Sequence, residues 1–170
     1  MSHALQRPVV CILAVRPRGT GGSEVLLQRR TKANDDTPYN GCLELPQGKV
    51  NRNESLTQAA RRELAEEAGL RVHRFLVGGD THASVAETSE LAVSQPFVCV
   101  TDTMQNHIGL CVIAEITGDA QATSEASGHR WYDRNELETL IAAKRLFPLN
   151  VPMLRKFLDT APDEIDAWRP

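Results

Sequence analysis

GKVNRNESLTQAARRELAEEAGL, residues 48–70, contains one helix with both ends marked. Ser55 and Gln58 form an S-x-x-Q capping box, which predicts that the helix begins there. Gly69 supplies the left-handed residue that commonly ends a helix. The apolar positions that repeat every fourth residue and predict its buried side are Leu56, Ala60 and Leu64. The segment therefore predicts an amphipathic helix between two loops.

Three acids lie on one face of this helix. Glu63, Glu66 and Glu67 are spaced i, i+3 and i+4, which places them within an arc of about 100°. Like charges at this spacing repel each other, and the macrodipole disfavours anions near a helix C-terminus. A divalent cation removes both objections, because Mg²⁺ prefers carboxylate oxygens, waters and substrate phosphates. Glu54 can join from the N-terminal side of the helix.

A solvated acidic face is the alternative explanation for these glutamates. In that case Arg61 and Arg62 would be their ion-pair partners, as in many helices rich in Glu and Arg. The acids alone do not decide between a metal site and an ordinary charged surface.

Strand-like segments surround the helix. Residues 8–15 and 24–28 are apolar and rich in Val, Ile and Leu. Further strand candidates are residues 71–77, 97–100, 108–116 and, as a short one, 131–132. Two helices follow: one from residue 134 to about 145 after a capping box at Asp133, and one over residues 151–158. This pattern predicts an α/β fold with one mixed sheet packed between helices.

Composition limits the function classes. The chain has 170 residues and a formal net charge of −3, so a single domain over residues 1–170 is expected and long nucleic acid is a poor candidate partner. We expect residues 1–7 and 161–170 to be loose tails. The four cysteines show no zinc spacing, and no apolar run is long enough to cross a membrane, so a cytoplasmic protein is predicted.

The complete segment resembles the Nudix box. The pattern is Gly, five residues, Glu, seven residues, Arg-Glu, an aliphatic residue, any residue, Glu-Glu, any residue, Gly and an aliphatic residue. The matching positions are Gly48, Glu54, Arg62, Glu63, Leu64, Glu66, Glu67, Gly69 and Leu70. The chain is therefore identified as a member of the Nudix hydrolase superfamily, with a MutT-like arrangement of surrounding elements.

The resemblance implies an α/β/α sandwich and an enzyme that uses Mg²⁺ or Mn²⁺ to cleave a diphosphate linkage. It implies Glu63 and Glu67 as the principal metal ligands, with Glu66 nearby and the Gln47 carbonyl joining them. It also gives Arg62 the role of orienting the glutamates. The structural box positions it implies are Gly48, Glu54 and Gly69.

Catalysis and substrate binding are less closely specified by the resemblance. Glu66 is the first candidate for the general base, and Glu125 on a later loop is the other. Asn150 resembles a purine-reading Asn, although an N-cap for the last helix is the simpler interpretation. Arg29 and Arg30 could contact a substrate phosphate or could lie solvated at a strand end.

The substrate prediction favours nucleoside triphosphates. A nucleoside diphosphate linked to another group, such as ADP-ribose, NADH or a dinucleoside polyphosphate, is the alternative, because Pro46-Gln47-Gly48 departs from the commoner Pro-Gly-Gly. A non-catalytic nucleotide sensor is the third reading. The expected partner is a small nucleotide, without a membrane, and a homodimer stays open because dimers are frequent in the family.

Overall fold

The computed structural model describes residues 6–19, 21–31, 39–86, 89–124 and 126–169, with only the backbone described at 82–86 and 89–90. The strands are β1 (Arg7–Pro17), β2 (Ser23–Arg30), β3 (Leu43–Glu44), β4 (Gln47–Lys49), β5 (Arg71–Val77), β6 (Thr81–Ala86), β7 (Ser89–Val93), β8 (Val98–Asp102), β9 (His107–Thr117) and β10 (Ala126–Tyr132). The helices are α1 (Leu56–Ala68), α2 (Arg134–Ala142), α3 (Val151–Asp159) and α4 (Pro162–Ala167), with a 3₁₀ turn at Pro148–Asn150 before α3.

A mixed sheet forms the middle layer. Its strand order is β10-β2-β1-β9-β5, and β3, β4 and β8 pair with β2, β1 and β9 respectively. The neighbours β1 and β9 run parallel, whereas the other pairs are antiparallel. Among the described residues, no helix is both long enough and apolar enough to cross a bilayer.

Alternation along β1 separates two cores. Cys11 and Leu13 pack in one cluster with residues of α2, α3 and α4, whereas Val10 and Ile12 pack in the other with α1. Successive side chains of a strand point to opposite faces, so β1 must be apolar at nearly every position. The predicted α/β sandwich with a mixed sheet is confirmed.

Helix α1 begins and ends where its caps predict. The Ser55 hydroxyl accepts from the Gln58 N–H, and the Gln58 side chain accepts from the Ser55 N–H at 2.8 Å. Gly69 adopts φ 66°, and its N–H bonds to carbonyls of the last turn. Asp80, which precedes the β6–β7 hairpin, accepts from the Thr57 N–H at 3.2 Å and so fixes the hairpin to the start of α1.

The segment expected to be a loose C-terminal tail is folded instead. Ile165 in α4 is only 1% exposed and belongs to the core that contains α2 and α3. Arg169 donates to Glu115 at 2.7 Å, and Arg74 donates to the other oxygen of the same carboxylate at 3.1 Å. At the other end, Arg7 already belongs to β1. The hydrophobic side chain and the buried ion pair explain why the polar sequence of α4 is ordered.

We expect Ile165→Ala to lower the free energy of unfolding by about 2–5 kcal/mol, because it leaves a cavity in a packed core. Urea denaturation measures this change, with the neighbouring exposed Glu164→Ala as the control. Equal stability of the two variants would contradict the packing of α4.

Candidate functional site

The site forms where the C-terminal half of α1 meets the short strand β4. Gly48 in β4 lies against Glu63 of α1, and a Cβ at residue 48 would come within 1.9–2.1 Å of the Glu63 carboxylate. No side chain can occupy that position unless the carboxylate moves away. The close approach explains why residue 48 is a glycine and fixes which way Glu63 can point.

Arg62 connects three of the predicted site acids. Its guanidinium donates to both oxygens of Glu54 at 2.8 and 2.9 Å. It also donates to Glu63 at 2.6 Å, to Glu66 at 3.0 Å and to the Lys49 carbonyl at 2.9 Å. These bonds lower the pKa of the Glu54 carboxyl group, chiefly through the Arg62 hydrogen bond. A planar guanidinium with five donors can hold several carboxylates at once, which a lysine cannot do.

Glu67 is held by neutral donors instead. The Gln47 backbone N–H donates to Glu67 Oε2 at 2.9 Å, and Gln28 Nε2 donates to the same oxygen at 2.7 Å. Burial raises the pKa of Glu67 to about 7, and the charges of Glu44 and Glu63 add to this rise. The carboxylate is therefore oriented but electrostatically unfavourable, which is the condition that a nearby cation would relieve.

Buried polar side chains form hydrogen bonds with β4 and with Leu45, which precedes it. Glu44 accepts from Arg30 at 2.6 Å and from Gln47 Nε2 at 3.1 Å. Asn150 is fully buried; its Oδ1 accepts from the Leu45 N–H at 3.0 Å, and its Nδ2 donates to Gln47 Oε1 at 2.7 Å. Asn150 occupies the N-cap position of α3, as predicted, but its side chain makes no cap hydrogen bond. Its side chain is used to hold the loop before Gly48.

The two arginines at the end of β2 are separated. Arg30 stacks over the Phe147 ring at 4.4 Å and lines a cleft together with Glu67 and Gln47. Arg29 is exposed and donates to the Gly41 carbonyl at 3.2 Å. Neighbouring residues of a strand point to opposite sides, so only Arg30 lies beside the acids.

The last carbonyls of α1 receive donors from the β9–β10 connection. The Gln121 N–H donates to the Ala68 carbonyl at 2.9 Å, and the Thr123 hydroxyl donates to the Glu67 carbonyl at 3.2 Å. The His129 imidazole also hydrogen-bonds the Glu67 carbonyl. These donors offset the negative end of the helix dipole close to the site acids. Glu125, the second general-base candidate, lies outside the described residues.

The site acids do not form a ready-made cluster: among the described residues, no three acidic, His or Cys side chains converge on one point. Glu63 and Glu66 turn towards Arg62, whereas Glu67 turns towards β2 and β4. The donor set nevertheless fits a hard cation, because it offers carboxylate oxygens, and Glu67 Oε1 accepts no hydrogen bond from the described residues.

Two clefts open beside these acids. A small cleft of about 100 Å³ is lined by Arg30, Gln47, Glu67 and His107, among others. A larger cleft of about 320 Å³ lies next to it and includes Tyr39. The residues that line both clefts are Gln105, Phe147 and Leu149. Glu67 therefore lies at one end of a groove that is lined by Phe147 and Tyr39.

Sequence reasoning missed Gln28 and Glu44, which the structure places directly in the site. Glu44 interrupts a short apolar run, Gln28 directly follows one, and both are almost completely buried. A polar residue at an inward position of a strand is costly unless it is hydrogen-bonded, so these interruptions were the available signal.

A family model described as NUDIX domain matches residues 5–157. A search of curated proteins finds no match.

Solved structures show the same fold. A NUDIX hydrolase from Nitrosomonas europaea aligns with TM-score 0.65 and 20% identity, over 93% of this chain and 73% of that chain. The NUDIX domain of Shewanella oneidensis NrtR, in complex with ADP ribose, aligns with TM-score 0.62 and 16% identity, over 92% and 89%. A MutT protein from Methanosarcina mazei aligns with TM-score 0.54 and 19% identity, over 91% and 96%.

We expect Glu67→Gln to stabilise the metal-free protein more at pH 8 than at pH 5. The pKa of Glu67 rises from 4.5 to about 7 in the folded protein, so the protonated side chain contributes fully to the free energy of unfolding below pH 4.5. This contribution is lost as the pH rises through 7. The free energy of unfolding of wild type falls by an amount on the order of 3 kcal/mol, whereas the uncharged amide of the variant does not ionise and so loses nothing. Thermal unfolding in chelator at both pH values measures the difference between variant and wild type, and a difference independent of pH would contradict the burial of this charge.

Proposed function

The chain belongs to the Nudix hydrolase family, and we propose that it is a Mg²⁺-dependent pyrophosphohydrolase that cleaves the diphosphate linkage of a nucleotide. The observation that supports this most is Glu67, a half-buried carboxylate held through one oxygen at the end of a groove. Every acid of the box pattern is present. A nucleotide sensor that had lost catalysis would not need a carboxylate whose desolvation lowers the stability of the fold.

The ligands of the cation would be Glu63 and Glu67, with Glu66 and the Gln47 carbonyl completing the shell. Mg²⁺ or Mn²⁺ would neutralise the diphosphate oxygens and lower the pKa of a bound water. Gly48 leaves the space in which the Glu63 carboxylate lies, and Gln47 serves the site twice, because its N–H already holds Glu67.

Proton transfer requires a carboxylate that can leave an ion pair. Glu66 is exposed and has a single described bond to Arg62, so it can turn towards a water molecule more easily than the buried Glu63. We propose Glu66 as the general base, with Glu125 as the second candidate. Arg62 keeps Glu54 in place while Glu66 moves, since its bonds to Glu54 use different nitrogens.

The groove supports a nucleotide substrate, and we propose nucleoside triphosphates as the preferred class. Arg30 stacks on Phe147 and lines the same cleft as Glu67, where it could pair with a phosphate next to the scissile linkage. Tyr39 and Phe147 offer apolar surface for a nucleoside. Asn150 would affect the substrate through Leu45 and Gln47, and Arg29 would act only at the rim.

A nucleoside diphosphate linked to another group is the alternative substrate class. The NrtR domain in complex with ADP ribose has the same fold, so that ligand class is the specific competitor. We expect a small-molecule partner in a reducing cytoplasm, consistent with four free cysteines, and leave a homodimer as a proposal.

The substrate class is tested by measuring phosphate products with Mg²⁺ and with chelator. The panel holds canonical and oxidised nucleoside triphosphates, ADP-ribose, NADH, diadenosine polyphosphates and 5′-triphosphorylated RNA. We expect metal-dependent cleavage, strongest for a nucleoside triphosphate. Tight binding of one compound without cleavage of any would support the sensor instead.

We expect Glu67→Gln and Glu63→Gln to lower kcat by roughly 10²–10³-fold, because each removes part of the charge that stabilises the transition state. Glu138→Gln, an exposed acid of α2, is the matched control and should keep wild-type turnover. Full activity of Glu67→Gln, with folding verified by circular dichroism, would refute the metal assignment.

A further inference from the structure

Gln28 is a fully buried amide that the function proposed above leaves unused. It lies in β2, which belongs to the sheet, while its Nε2 reaches Glu67 of α1 at 2.7 Å. Polar side chains without any exposure are uncommon in the interior strand of a sheet, since each lost hydrogen bond to water must be replaced.

The hydrogen bonds that the Glu67 carboxylate accepts are not shared between its two oxygens. Gln28 Nε2 and the Gln47 N–H both donate to Oε2, and Oε1 accepts no hydrogen bond from the described residues. A free carboxylate can rotate and present either oxygen, whereas two donors on one oxygen fix its rotation. Oε1 is consequently the oxygen left for another ligand.

The arrangement has a cost that stability does not explain. Gln28 uses only its amide nitrogen, and its Oε1 is buried without a described partner. An apolar side chain of similar length would avoid burying that oxygen, so packing alone would favour methionine or leucine here. The benefit of the glutamine must therefore lie in what its Nε2 does to Glu67.

We propose that Gln28 is a positioning residue for the metal site: it holds Glu67 Oε2 so that Oε1 is presented to the divalent cation. This inference rests on the proposed function, because it needs Glu67 to be a metal ligand. Hydrogen bonds to ligating carboxylates are known to control metal affinity by factors of about 10–100.

The test measures Mn²⁺ binding by titration calorimetry at pH 8, and thermal stability in chelator, for wild type, Gln28→Met and Gln28→Leu. We expect both variants to bind Mn²⁺ roughly 10–100-fold more weakly, while still unfolding in a single cooperative transition in chelator. Gln58→Met is the matched control: it removes a glutamine of α1 whose described side-chain hydrogen bond goes to Ser55, and it should leave Mn²⁺ affinity unchanged.

Other outcomes overturn the proposal. Mn²⁺ affinity within twofold of wild type in the two Gln28 variants would show that the amide does not orient the ligand. A lower melting temperature with unchanged affinity would show a purely structural role. Glu67→Gln separates the two proposals: if it loses Mn²⁺ binding while Gln28→Met keeps it, only the role of Gln28 fails. If wild type binds no Mn²⁺, the metal site and the role of Gln28 fail together.

Discussion

Like-charge repulsion at the C-terminal half of α1 is balanced by a single guanidinium. Arg62 bonds Glu54, Glu63 and Glu66, so three carboxylates share one positive charge. Glu67 lies outside this network and is held by amide donors. The helix dipole would make this end still less favourable, and the donors from the β9–β10 connection reduce that effect. The arrangement keeps the acids close and leaves them with a net negative charge.

The sheet supplies the rigidity that this charged site requires. Strand β4 pairs with β1, which lies next to β9 in the centre of the sheet, and both strands are apolar on two faces. Polar groups that support the site, such as Glu44 and Asn150, are buried and bonded to β4 or its approach. Held by a rigid scaffold, such groups can maintain an orientation that mobile surface groups could not.

Stability and function oppose each other at Glu67. Burial raises its pKa to about 7, and Gln28 contributes a donor at the expense of an unpaired oxygen. Both the raised pKa and the unpaired Gln28 oxygen lower the stability of the metal-free chain. A bound cation would relieve the first and would use the orientation that Gln28 gives to Glu67. Sites with this property tend to be functional, because a fold selected for stability alone would replace them with apolar residues.

The sequence by itself determined the box helix and its acids, since caps, helical spacing and strand alternation are local properties. Ser55, Gly69 and the glutamates could therefore be assigned from the sequence, and the family followed from their pattern. Tertiary structure decided which distant residues meet: Gln28 with Glu67, Asn150 with β4, and α4 with the core. Those contacts depend on strand register and on packing across the sheet, which no local pattern of residues encodes.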